Sequence, residues 1–148
     1  MKLRLEFHLF NDLHNNLAIS YLQDGQHKII LHTKDDYSLL LSLGDGLLNY
    51  YKNDVHHFDI STEQTAYHCM IIQKTLIILD EQDLIFSCPI DDFAHSFFHA
   101  YERYLYDLLR MEPISLDDST LQNMKQQVYA LHQILVLHFT DINAMIVE

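Results

Sequence analysis

The chain is short of the residues that punctuate and staple proteins. In 148 residues it has three glycines, two prolines, two cysteines and no tryptophan. So little glycine and proline argues against a loop-rich enzyme scaffold, whose turns they would set. Two cysteines cannot build a structural zinc site alone, and Cys69 and Cys88 lack metal-ligand spacing. Each lies in a strongly apolar segment, which reads as a buried thiol in a reducing compartment. No stretch approaches the roughly 18 apolar residues of a membrane span. Positive charge is scarce as well: 9 Lys and Arg stand against 21 Asp and Glu, a net charge of −12. Phosphate binding needs concentrated Lys and Arg, so nucleic acid is excluded as a direct partner, as is an anionic membrane surface. An acidic chain attracts a cationic protein, a metal or a cationic ligand.

Catalytic signatures are missing too. There is no phosphate-binding G-x-x-x-x-G-K-[ST], no G-x-G-x-x-G, no G-x-S-x-G and no H-E-x-x-H. Triads are set by geometry rather than spacing, so this removes the sequence-level reason to expect an enzyme. The start, Met1 to His8, alternates apolar and polar residues and lacks the continuous apolar run of a signal peptide. The chain is therefore expected to begin at Met1 and to work in the cytoplasm.

What is present suits a packed core. Hydrophobic residues make up 49% and charged residues 20%, and a chain of this size buries roughly two-thirds of its unfolded surface. Leu3, Leu5, Phe7 and Leu9 alternate as in a half-buried strand, and residues 17–22 and 27–33 read as two more strands around Asp24-Gly25, a hairpin signal. Asp35-Asp36 can cap a helix carrying Leu40, Leu43, Leu47 and Tyr51. Gly44 and Gly46 interrupt it, so a strand over 37–43 is the competing reading; helix is preferred. Strands follow at 55–60, 66–72, 75–80 and 84–88, with a turn of poor composition at Gln73-Lys74. Pro89 ends this set and opens a helix over 90–110, whose stripe is Phe93, Phe97, Tyr101, Tyr104 and Leu108. A last helix, capped by Ser115 or Asp117-Asp118, carries Leu121, Met124, Val128, Leu131 and Leu135, with residues 141–148 fraying or adding a strand. The expected fold is one α+β domain over residues 1–148. Its antiparallel sheet would have six or seven strands in two meanders, with about three helices on one face.

Two constellations could carry chemistry. On the 90–110 helix, His95, His99 and Glu102 share a face, and imidazoles at i and i+4 can share a metal. This is the basis of an alternative reading as a metal-binding protein or metal-dependent enzyme; the plainer reading is a solvated polar face. The other is the distribution of acids. Residues 35–118 hold 16 acids against Lys52, Lys74, Arg103 and Arg110, while the flanking segments are nearly neutral. Asp35, Asp36, Asp45, Asp54, Asp80, Glu81 and Asp83 fall mostly at turns and element ends. They are the candidate partner-binding surface, although caps and solubility explain many such residues.

The order of elements from 36 to 109 resembles bacterial immunity proteins of contact-dependent growth inhibition and other polymorphic toxin systems. The pieces that carry the resemblance are Asp36-Tyr37-Ser38-Leu39-Leu40-Leu41-Ser42-Leu43, Val55-His56-His57-Phe58-Asp59-Ile60, Leu76-Ile77-Ile78-Leu79 and Phe86-Ser87-Cys88-Pro89-Ile90-Asp91-Asp92-Phe93. The resemblance implies a protein, without cofactor, that binds one cognate toxin domain and covers its active site. Many such toxins are basic nucleases, so a basic ribonuclease is the expected partner of a monomer or weak homodimer.

Overall fold

A computed structural model describes residues 5–9, 17–23, 26–33, 36–61, 66–110 and 118–147. Among them the chain runs through β1 (Leu5–Leu9), β2 (Leu17–Gln23), β3 (Gln26–Thr33), α1 (Asp36–Asn53), β4 (His57–Ser61), β5 (Ala66–Ile72), β6 (Thr75–Asp80), β7 (Asp83–Pro89), α2 (Ile90–Arg110) and α3 (Asp118–Val147). This is an α+β fold. The expected sheet of six or seven strands is not what forms. The sheet that carries the helices has four strands, in the order β4-β5-β6-β7, and β1-β2-β3 pair only with one another. Period-two patterning reports that a segment is a strand; it does not report which sheet the strand joins. Here α1 separates β3 from β4 in the chain and packs against β4, so no hairpin joins the two sets. At the backbone level β1 lies beside α2.

The four-stranded sheet is antiparallel throughout. One face is buried through Ile60, Cys69, Ile71, Leu76, Ile78, Phe86 and Cys88, which alternate along their strands as the pleat requires. A register shift between Ile78 and Leu79 leaves Ile85 as an extra residue on β7, and Ile85 packs against the same core. The helices supply the other half. Leu39, Leu40, Leu43 and Leu47 come from α1, Phe93, Phe97 and Tyr101 from α2, and Met124 and Leu131 from α3, all without exposed surface. Phe93 and Phe97 stack at 6.0 Å, and Tyr101 meets Phe97 edge-on at 5.5 Å.

The helical reading of α1 holds through Gly44 and Gly46, and close packing explains them. A methyl group at Gly44 would overlap the amide of Gln127, and one at Gly46 would overlap the ring of Phe58. The missing side chains let α3 and β4 approach the α1 backbone. Gln127, on α3, is the one buried polar residue among those described. Its Nε2 donates to the Leu41 carbonyl (3.0 Å) and to Asp45 Oδ1 (2.9 Å), and its Oε1 accepts from the Tyr101 hydroxyl at 2.9 Å. One side chain thus ties together all three helices.

One end departs from the expectation, and one turn bears it out despite its composition. Residues 141–147 continue α3 instead of fraying or forming a strand. Gln73 and Lys74, poor in composition, form the two-residue β5–β6 turn with φ of 49° and 63°. Left-handed residues match the strand twist at such a turn, but non-glycine side chains cost roughly 1–2 kcal/mol each there.

Two outcomes follow. Helix propensity alone favours Gly44→Ala by up to about 1 kcal/mol. Overlap with the pinned Gln127 amide reverses the sign, and urea unfolding should show a loss of about 1–3 kcal/mol. Lys74→Gly should raise stability by about 1 kcal/mol in the same assay, through relief of the left-handed turn.

Candidate functional site

The sheet has two distinct ends, and they divide the candidate acids. At one end the β6–β7 turn runs from Asp80 to Asp83, which are paired residues, with Glu81 at φ 58°. Glu81 and Asp83 are exposed and Asp80 is half-exposed. Among the described residues none of these three carboxylates has a side-chain partner. The other end is the Gln73-Lys74 turn, where the Ile90 amide donates to the Lys74 carbonyl at 2.9 Å and α2 begins. Roughly 17 Å of strand separates the two ends along β6.

Asp54 lies at the second end, not with the turn acids. It terminates α1 in the left-handed region, at φ 57°, which Asp tolerates better than most residues. Its amide and that of Val55 donate back to the Tyr50 and Asn49 carbonyls at 3.1 and 3.3 Å. Asp45 is exposed on α1 and already accepts the Gln127 amide. Asp36 is the first residue of α1, its side chain outside the described part, and Asp35 lies outside the described residues. The structure therefore keeps Asp80, Glu81 and Asp83 together, places Asp54 at the opposite end of the sheet, and holds Asp45 on α1 against Gln127.

His56 joins the second end to the sheet. Its Nε2 lies 2.7 Å from Asp54 Oδ1 and its Nδ1 lies 3.2 Å from the Ile71 carbonyl. The Ile71 amide donates to the His56 carbonyl in return, at 2.8 Å. Both ring nitrogens face acceptors, so both act as donors only in the imidazolium form. The hydrogen bond to Asp54, then that to Ile71, raises its pKa above 6.5. The ring of Tyr50 stands edge-on to His56 at 5.3 Å. Nearby, Tyr51 donates to Asp91 Oδ1 at 2.7 Å and ties the end of α1 to the start of α2. Burial, followed by the bond to Asp91, raises the Tyr51 pKa strongly and keeps the hydroxyl protonated. On the uncovered sheet face, His68 Nδ1 lies 2.6 Å from Asp59 Oδ1.

On α2, His95 and His99 are brought together, with Nε2 atoms 3.1 Å apart on the exposed face. Burial, then repulsion by His99, lowers the His95 pKa, against a smaller raising effect of Asp92. Glu102 does not complete a set with them, since no three His, Cys, Asp or Glu among the described residues are placed to hold a metal. Cys69 and Cys88 are buried free thiols. Burial pushes each up to about 12, so neither is a thiolate nucleophile at neutral pH. The sequence pointed to neither Gln127 nor the Asp54–His56–Ile71 link. Only the Asp-x-His spacing hinted at the latter.

No helix among the described residues is long and apolar enough to cross a membrane. Comparison with protein families, with curated proteins and with solved structures found no match.

The two histidine environments give opposite titrations. In NMR, His56 should titrate above 6.5 and His95 below it. Stability linked to His56 is present below pH 6.5 and fades as pH rises through its folded pKa. For His95 the sign reverses, and its contribution fades as pH falls below 6.5. In His56→Ala the first dependence should vanish.

Proposed function

We propose that this chain is a non-enzymatic, cytoplasmic immunity protein. It binds one basic toxin domain, a ribonuclease as the resemblance to polymorphic-toxin immunity proteins implies, and covers the active site with the carboxylates of the β6–β7 turn. It needs no cofactor and acts as a monomer or weak homodimer. The supporting observation is the state of Asp80, Glu81 and Asp83: solvent-facing carboxylates on a two-residue turn, without side-chain partners among the described residues. Asp45, Asp54 and Asp91 are by contrast engaged with Gln127, His56 and Tyr51.

A nuclease presents a cationic cleft to its polyanionic substrate, so a rigid acidic turn competes for the same field. Charge complementarity of this kind raises association rate and specificity more than raw affinity. The turn sits on a hairpin whose inward residues Ile78 and Phe86 are buried, so the carboxylates are held by the core and not by a free loop.

Co-expression with the toxin domain encoded beside this gene should restore host growth, and the two proteins should co-elute. Continued killing with no complex would sink the reading. The combined substitution Asp80→Lys, Glu81→Lys, Asp83→Lys should weaken the complex about tenfold or more at low salt and less at high salt, with the slowing mainly in association. Wild-type binding by that variant would remove the turn from the interface.

A further inference from the structure

We propose that His95 and His99 form a two-nitrogen chelate for a divalent first-row transition ion, with water in its remaining positions. The site lies on the exposed face of α2, uses none of the turn acids of the proposed toxin interface, and does not depend on that function. It rests on the placement of the two rings. They stand one helical turn apart, both exposed, with Nε2 atoms 3.1 Å apart.

That spacing suits a common ion. Two nitrogens held about 2.05 Å from one metal and 3.1 Å apart subtend about 98° at it. This lies between the right angle of tetragonal copper or octahedral nickel and the tetrahedral angle of zinc. Without an ion the two rings share a hydrogen bond between their Nε2 atoms, with centroids 4.5 Å apart and planes at 81°; a bound ion takes the place of the shared proton.

The surroundings hold this geometry. Phe93 and Phe97 on the same helix are fully buried, so α2 is fixed on the core. The Phe98 ring packs against His99 at 5.3 Å and stacks on His132 at 5.5 Å. The negative field of Asp92 acts on His95 from one turn earlier. His56 uses both ring nitrogens on Asp54 and the Ile71 carbonyl, and His68 uses Nδ1 on Asp59. A chelate from one rigid helix gains from the effective concentration of its second arm.

The test uses the full chain and Ni²⁺ alone. Titration calorimetry should show one saturable equivalent, and paramagnetic broadening in NMR spectra should centre on His95 and His99. His95→Gln and His99→Gln should each weaken binding about tenfold or more, since each leaves a single arm, while His56→Ala leaves it unchanged. Circular dichroism of the metal-free variants checks that the helix is intact. Retention of the equivalent in the double variant, broadening centred elsewhere, or no saturable binding below about 100 µM would overturn the proposal.

Discussion

The described fold depends on one buried amide. Gln127 reaches across from α3, donates twice to α1 and accepts once from α2. A buried amide is costly unless its hydrogen bonds are made, and here both ends of it are engaged. That requirement fixes more than one side chain. It demands that α3 run close to α1, which demands a residue without Cβ at position 44. It also sets the rotation of α2, because the Tyr101 hydroxyl has to meet the same amide while its ring fills the core. Hydrophobic packing alone would tolerate small rotations of each helix; a three-way polar contact does not.

Much of the local structure was legible in the sequence. The aromatic stripe from Phe93 to Tyr104 pointed to α2, and short apolar runs bounded by turns pointed to β5, β6 and β7, because both patterns arise from neighbours along the chain. What was not legible is non-local. Nothing in the apolar pattern of Leu17 to Thr33 says that these strands form their own sheet. The glycines of α1 read as weak points, since propensity counts only the helix itself and not the helix and strand that press against it. The site was legible in composition and not in arrangement. Excess acid was plain, yet only the hairpin register places Asp54 at the end opposite Asp80. His95 and His99 were paired correctly by helical spacing, whereas Glu102 shares the face without joining them.

The engaged carboxylates have separate structural tasks. Asp54 ends a helix, Asp91 ties two helices, Asp45 completes the amide contact and Asp59 pairs across strands. An acidic sequence is therefore not a uniformly available acidic surface. The β6–β7 turn gathers three carboxylates on one short hairpin connection, and the described structure asks nothing of their side chains.

The β5–β6 turn carries a last consequence, for where the sheet draws its stability. A hairpin closed by two left-handed, non-glycine residues is disfavoured as an isolated piece of chain. It gains its stability only when Cys69, Ile71, Leu76 and Ile78 have a helical layer to pack against. The centre of the meander is thus the part of this sheet that owes most of its stability to the helical layer.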